Sequence, residues 1–247
     1  MLDNGWWSEV PPERRLPDSK GSNRAIPATY IVFHTTGSGV IQKALESGAK
    51  TEAQQGKFVS NFYVKMKGVS THFLVDRDGM IWQMVPTTRE AWHAGWSEAV
   101  KKLYGSHSSP SSDWQKFSQP VNEPNILPQS PVGGYAQWHK SFPGVVSPAQ
   151  LIPEAARSPN NGSISIDLKA PGYKQDFTPE QIKATARLAA GLCTAMGVPS
   201  GRSTWFKHSE LEPVRRGSQF TKVSGERRIV ERLWDPPFDI DVLLKEV

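Results

Sequence analysis

Polar and apolar residues follow a two-residue period most clearly in three stretches. Residues 29–34, "TYIVFH", are β-branched and aromatic and run into Thr35, Thr36 and Gly37, which predicts a strand ending at His34. The segment "STHFLVDRDGMIWQMV" sets two β-prone runs around Asp76-Arg77-Asp78-Gly79, a hairpin in which Gly79 takes the positive φ. "SISIDL" alternates strictly, with Ile164, Ile166 and Leu168 on one face and Ser163, Ser165 and Asp167 on the other.

Helical periodicity is best over 179–196. Thr178 suits the N-cap, Pro179 the first helical position, and Gln181 completes a capping box. Ile182, Ala186, Ala189, Cys193 and Met196 then share one face, and Gly197 and Pro199 end the element. Residues 40–67 are mixed and partly helical. "STWFKHSEL" carries a further apolar run that ends, like the first, on a histidine, His208.

These elements mix without a βαβ repeat. The expectation is a mixed α/β fold, with a central mixed β-sheet flanked by helices. Residues 1–27, rich in Pro, charge and Trp, read as an irregular arm, and 28–247 as one domain. Within it about 97–160 is dense in Ser, Pro, Gly and Asn, too long for a plain loop and read as a loop-rich surface insertion.

Composition narrows the partners. A net charge of +5 favours anionic ones, bacterial wall polymers included, but the charge is spread out. Without a basic stripe interleaved with aromatics, nucleic acid is not expected. The single cysteine, Cys193, excludes an intrachain disulfide and a thiolate zinc cluster, and its apolar helical setting makes it core. No basic start leads into an apolar run and no stretch reaches a membrane span, so neither a Sec signal nor stable membrane insertion is expected. Synthesis in the cytoplasm follows as an expectation.

Of six histidines, two stand out. His34 and His208 each close a short apolar run, where side chains at strand ends converge on a cleft. Two imidazoles and one carboxylate make a catalytic zinc set, leaving a fourth place for water. Asp235, fixed beside Pro236 and Pro237, is the natural third ligand by this reading. His72 in the hairpin is expected on the other side of the sheet. His107 and His139 fall in the insertion and read as surface.

The ordered series "FHTTGSG", "STHFLVDRDGMIWQMV", "AWHAGW", "SISIDL", "FTPEQIKATARLAAGL", "KHSEL" and "WDPPFDID" resembles the N-acetylmuramoyl-L-alanine amidases, the zinc amidase fold shared with peptidoglycan recognition proteins. The likeness covers most of 29–96 and 160–240. It implies zinc held by His34, His208 and Asp235, with Asp239 a rival for the third place because the gap after His208 is longer than the family's usual one. It implies hydrolysis of the amide between the lactyl group of N-acetylmuramic acid and L-alanine of the stem peptide. Asp167 stands where one branch of the family has the Glu that moves protons, one methylene shorter. Other branches use a Tyr where this chain has Thr71. The family's Lys two residues before the acidic ligand is Leu233 here. Arg232 is the adjacent cation for the oxyanion, with Lys222 and Arg215 as alternatives. His93, Trp92, Trp96 and Thr35 are expected against peptidoglycan or muropeptide substrate. The alternatives are a non-catalytic peptidoglycan-recognition module and a cytosolic anhydro-muropeptide recycling amidase. As a wall-lytic enzyme it would be an endolysin or a secreted antibacterial effector. It would act in the periplasm or on the cell wall after release or delivery, and an effector would have an immunity protein as partner.

Overall fold

In the computed structural model, the run Tyr30–Thr35 (β4) is a strand buried along nearly its whole length, as expected for "YIVF" covered on both faces. The structure describes residues 1–17, 20–24, 26–36, 38–94, 160–170, 177–208, 220–223, 226–229 and 240–247. They fall into two units. The first comprises Met1–His93, Asn160–Lys207 and Phe238–Val247, and the second Ala94–Pro159 and His208–Pro237.

The first unit holds a five-stranded sheet of order β6-β5-β8-β4-β9. Its strands are β5 (Phe73–Val75), β6 (Ile81–Gln83), β8 (Ser163–Leu168) and β9 (Trp205–Lys207), together with β4. β4 runs parallel to both β8 and β9, β5 runs parallel to β8, and β6 pairs antiparallel with β5. The sheet is therefore mixed, with helices α1 (Ser38–Glu46), α2 (Glu52–Lys65), α3 (Pro179–Met196) and α4 (Asp241–Leu244). Short pairs β1 (Leu2–Asp3) with β2 (Trp6–Trp7), and β3 (Ser22–Asn23) with β7 (Arg89–Glu90), organise the arm. Trp7 and Val10 bring that arm into the core.

One sheet face carries Ile31, Phe33, Phe73, Val75, Ile164, Ile166, Leu168 and Trp205, packed against Ile182, Ala186, Leu188, Ala189, Leu192 and Cys193 of α3. Each large side chain buried there contributes roughly 1.5–3 kcal/mol. The helix keeps the expected bounds and stops at Gly197, at φ 71°. Its N-terminus differs in one respect. Thr178 accepts from the Gln181 backbone N–H, but the Gln181 amide does not return to the cap. It is buried and donates to the carbonyls of Val75 and Lys169, tying β5 to the end of β8. A reciprocal Thr51–Gln54 capping box starts α2 instead.

The hairpin turn falls where the sequence places it. Asp76 N–H reaches Met80 O at 2.8 Å, and Gly79 takes φ 81°. On the opposite sheet face, Leu74, Trp82, Met84 and Val59 of α2 form a smaller cluster with Val40, Ile41 and Tyr63. In the second unit, Phe220–Val223 (β10) and Glu226–Ile229 (β11) pair antiparallel. The expected insertion lies outside the described residues, apart from Asn160.

Candidate active site

The parallel pairing of β4 and β8 puts His34 directly opposite Asp167. In-register residues on adjacent strands share a face, so the two side chains emerge together on the face that also bears Leu74, Asp167's neighbour on β5. Both are nearly fully buried, His34 at 5% and Asp167 at 4% exposure. The alternation of "SISIDL" makes this possible: with Ile164, Ile166 and Leu168 claimed by the α3 core, Ser163, Ser165 and Asp167 must face the other way.

His93 completes a tight group. Its Nδ1 lies 2.9 Å from His34 Nε2, and its Nε2 lies 2.9 Å from Ser163 Oγ. The two imidazoles meet edge to face, centroids 5.0 Å apart. The His93 backbone N–H donates to Asn160 Oδ1 at 3.0 Å. From α2, Tyr63 Oη donates to Asp167 Oδ2 at 2.5 Å.

His72 lies on this same face rather than beyond the sheet, because Phe73 pairs with Ile166 and so places His72 beside Ser165. Its Nδ1 accepts from the Ser165 backbone N–H at 3.0 Å, which leaves its proton on Nε2, 3.0 Å from Arg89 O. Burial, reinforced by the Arg24 guanidinium, pushes its pKa down to about 3, so the ring stays neutral. Arg24 in turn gives its donors to the carbonyls of Thr87, Arg89, Asn161 and Ser163. This network is structural support for the β8 end of the site.

Lys169, two residues past Asp167, is fully buried, and its ammonium is taken by Glu52 with Asp76 4.0 Å away. It is therefore committed to holding α2 against the hairpin. Trp92 uses its indole N–H on Ser22 Oγ at 2.9 Å. Thr35 pairs with Leu168, and strand alternation turns it to the face opposite His34. His208 is fully buried and directly follows Lys207, which pairs with Phe33 on β4. Asp235, Arg232, Trp96, Arg215 and Asp239 lie outside the described residues. Among the described residues, no three His, Cys, Asp or Glu side chains converge to hold a metal.

The family model for N-acetylmuramoyl-L-alanine amidase matches residues 24–236. The chain belongs to that family. The match spans the amidase strand bearing His34, the His93 loop, Asp167, His208 and Asp235. A crystal structure of a selenomethionine AmpD derivative is similar over 100% of this chain and 99% of that one, with a TM-score of 0.50 at 21% identity. That likeness places the amidase fold. No curated protein is significantly similar in sequence.

The donor chemistry suits the zinc that the family implies. His34 offers a nearly buried imidazole nitrogen at a strand end, in register with a carboxylate and beside the strand that leads into His208. Tyr63 is the residue that sequence reasoning missed. Its only sequence signal is the four-residue spacing from Val59, about one helical turn, which puts both on the inner side of α2; nothing in that spacing names Asp167 as its partner.

Proposed function

We propose that this amidase is a zinc-dependent hydrolase of the bond between N-acetylmuramic acid and L-alanine in peptidoglycan. The observation that carries the reading is the in-register pairing of His34 with Asp167 at the ends of two parallel strands. It sets an imidazole and a carboxylate side by side on one face, which supports reading them as a metal ligand and a proton carrier.

His34, His208 and Asp235 would hold the ion. Zinc bound there would act as a Lewis acid toward the lactyl carbonyl and toward a water nucleophile. Asp167 takes a proton from the attacking water and returns it to the amine of L-alanine as the C–N bond breaks. The products are a lactyl carboxylate and a free stem peptide. Arg232, the cation adjacent to Leu233 in sequence, would supply positive charge for the carbonyl oxygen as it gains negative charge. Tyr63 holds Asp167 by its hydrogen bond, so the shorter carboxylate starts from one fixed orientation.

The net charge of +5 favours intact, anionic wall over small soluble fragments, and so an endolysin or delivered effector acting in the periplasm or on the wall. An immunity protein would accompany the effector form. Mass analysis of muropeptides tests the whole reading. Wild type should release free stem peptides from purified sacculi, lose this with a chelator and regain it with zinc. His208→Ala should release none. One zinc per chain with no peptide release would instead favour a recognition module. Turnover of soluble anhydro-muropeptides with sacculi untouched would favour a recycling enzyme.

A further inference from the structure

We propose that the outer side of α2, with Lys43 of α1 beside it, is a docking surface for intact peptidoglycan, holding the carboxylates of stem peptides that neighbour the one being cut. The proposal rests on the peptidoglycan reading above. It locates where the wall is held away from the reacting bond.

The helix has two sides. Gly56 and Val59 are buried, and Tyr63 turns inward to Asp167. Gln54, Lys57, Asn61 and Lys65 are exposed, and their spacings of three, four and four residues put them in one stripe. The stripe carries two cations and no acid. Glu52, the acidic residue of α2, gives its carboxylate to buried Lys169 instead. Lys67 is exposed just beyond the helix, and exposed Lys43 sets its Nζ 5.7 Å from the centroid of the Phe62 ring, next to Asn61. Among the described residues, Lys43, Lys57, Lys65 and Lys67 form no ion pair. Across the sheet α3 is mixed in sign: Arg187 pairs with Glu9 at 3.4 Å, and Lys183 lies three residues from exposed Glu180.

Helix stability does not account for the pattern. Lys65 in the last turn suits the helix dipole, but Lys57 lies mid-helix, where that effect has faded. Lys57 and Lys65 stand about 12 Å apart along the axis, at 1.5 Å per residue. That exceeds the Debye length of ~8 Å at physiological salt, so each cation holds its own carboxylate rather than sharing one. A polymer with carboxylates at intervals meets several cations at once, and its affinity multiplies, whereas a lone small muropeptide meets one. The surface is also continuous with the site: Lys65 is two residues from Tyr63, whose phenol reaches Asp167.

The test is co-sedimentation of the full-length protein with purified sacculi, together with peptide release from sacculi and from a defined soluble muropeptide. Lys57→Gln with Lys65→Gln keeps helix propensity and removes two charges. At low salt it should bind sacculi about 10-fold more weakly and show a raised KM on them, with turnover of the soluble muropeptide near wild type. Lys57→Arg with Lys65→Arg keeps the charge and should bind sacculi like wild type. Lys183→Gln with Lys245→Gln, on the α3 side, lowers the net charge by the same amount and should also bind normally. Equal loss in both Gln pairs would assign binding to net charge and overturn the proposal, as would wild-type binding by the α2 pair or no rescue by Arg. Sacculi whose carboxylates have been capped as amides should bind wild type weakly. Full binding to them would mean another ligand and overturn the carboxylate assignment. Wild type that releases no peptide from either substrate sinks the hydrolase reading, whereas intact release with unchanged binding by the α2 Gln pair sinks the docking surface alone.

Discussion

Tyr63 on α2 donates its phenol proton to Asp167 on β8 at 2.5 Å. The contact joins a helix packed on one sheet face to the carboxylate that would move protons in the reaction. Family resemblance alone left Asp167 short by a methylene. Here the side chain is held from the helix side, and its direction no longer depends on strand geometry alone. Tyr63→Phe keeps the ring packed and removes only the donor. We expect zinc content and melting temperature near wild type and kcat lowered about 10-fold or more, in line with ~1.5–3 kcal/mol for a hydrogen bond to a charged group. Asp167→Asn should lower turnover further, by roughly 10²–10⁴-fold for loss of the proton carrier. Steady-state kinetics on a defined muropeptide checks both, and wild-type kcat in Tyr63→Phe would remove the tyrosine from the site.

The proposed ligand set separates Asp235 from its neighbour in sequence. His34→Ala, His208→Ala and Asp235→Ala should each lose stoichiometric zinc, measured by elemental analysis after dialysis. Asp239→Ala should retain it. Zinc kept by Asp235→Ala and lost by Asp239→Ala would transfer the third place to Asp239.

Asp76 gives a pH dependence whose sign can be worked out. Burial outweighs the Trp82 and Lys169 contacts and raises its pKa from 3.8 to about 7. Between those values the folded state binds more protons than the unfolded one, so this group's contribution to stability is full below about pH 4 and is lost as pH rises to 7. The slope has a ceiling of ~1.4 kcal/mol per pH unit for one proton. Asp76→Asn keeps an acceptor for Trp82 Nε1, now 2.8 Å from Oδ2, and removes the titration. Urea unfolding at several pH values should show the slope between pH 4 and 7 reduced by up to one proton in the variant.

Gly56 lies inside α2, where Ala would ordinarily stabilise a helix by ~1 kcal/mol. A Cβ there would sit 1.9 Å from Asp76 Oδ2, a side chain fixed by Trp82 and faced by Lys169. Overpacking of this kind costs roughly 1–3 kcal/mol, so the clash outweighs the propensity and Gly56→Ala should destabilise. Chemical denaturation gives the sign directly, and a more stable Gly56→Ala would show that Asp76 can move aside.

Much of the frame was legible because it rests on local rules. The period of "SISIDL" put Asp167 on the polar face, the turn chemistry of "DRDG" placed the hairpin, and Thr178, Pro179 and Gly197 bounded α3. Ordered motifs carried the family. The arm was harder to read, because Trp7 and Val10 enter a core made by residues distant in sequence.

What the sequence by itself determined was the strand leading to His34, the hairpin around Asp76–Gly79 and the "SISIDL" strand, which face of the last is polar, and that His34 lies at a strand end, though β4 runs one residue further to Thr35. Only the tertiary structure decided the parallel register that sets His34 against Asp167, the return of His72 to that face, and the meeting of His34 with His93 and of Asp167 with Tyr63. The physical reason is that alternation and capping are settled by residues a few positions apart. Strand register and side-chain hydrogen bonds across 59 or 104 positions arise only when the shared core fixes how separate elements pack.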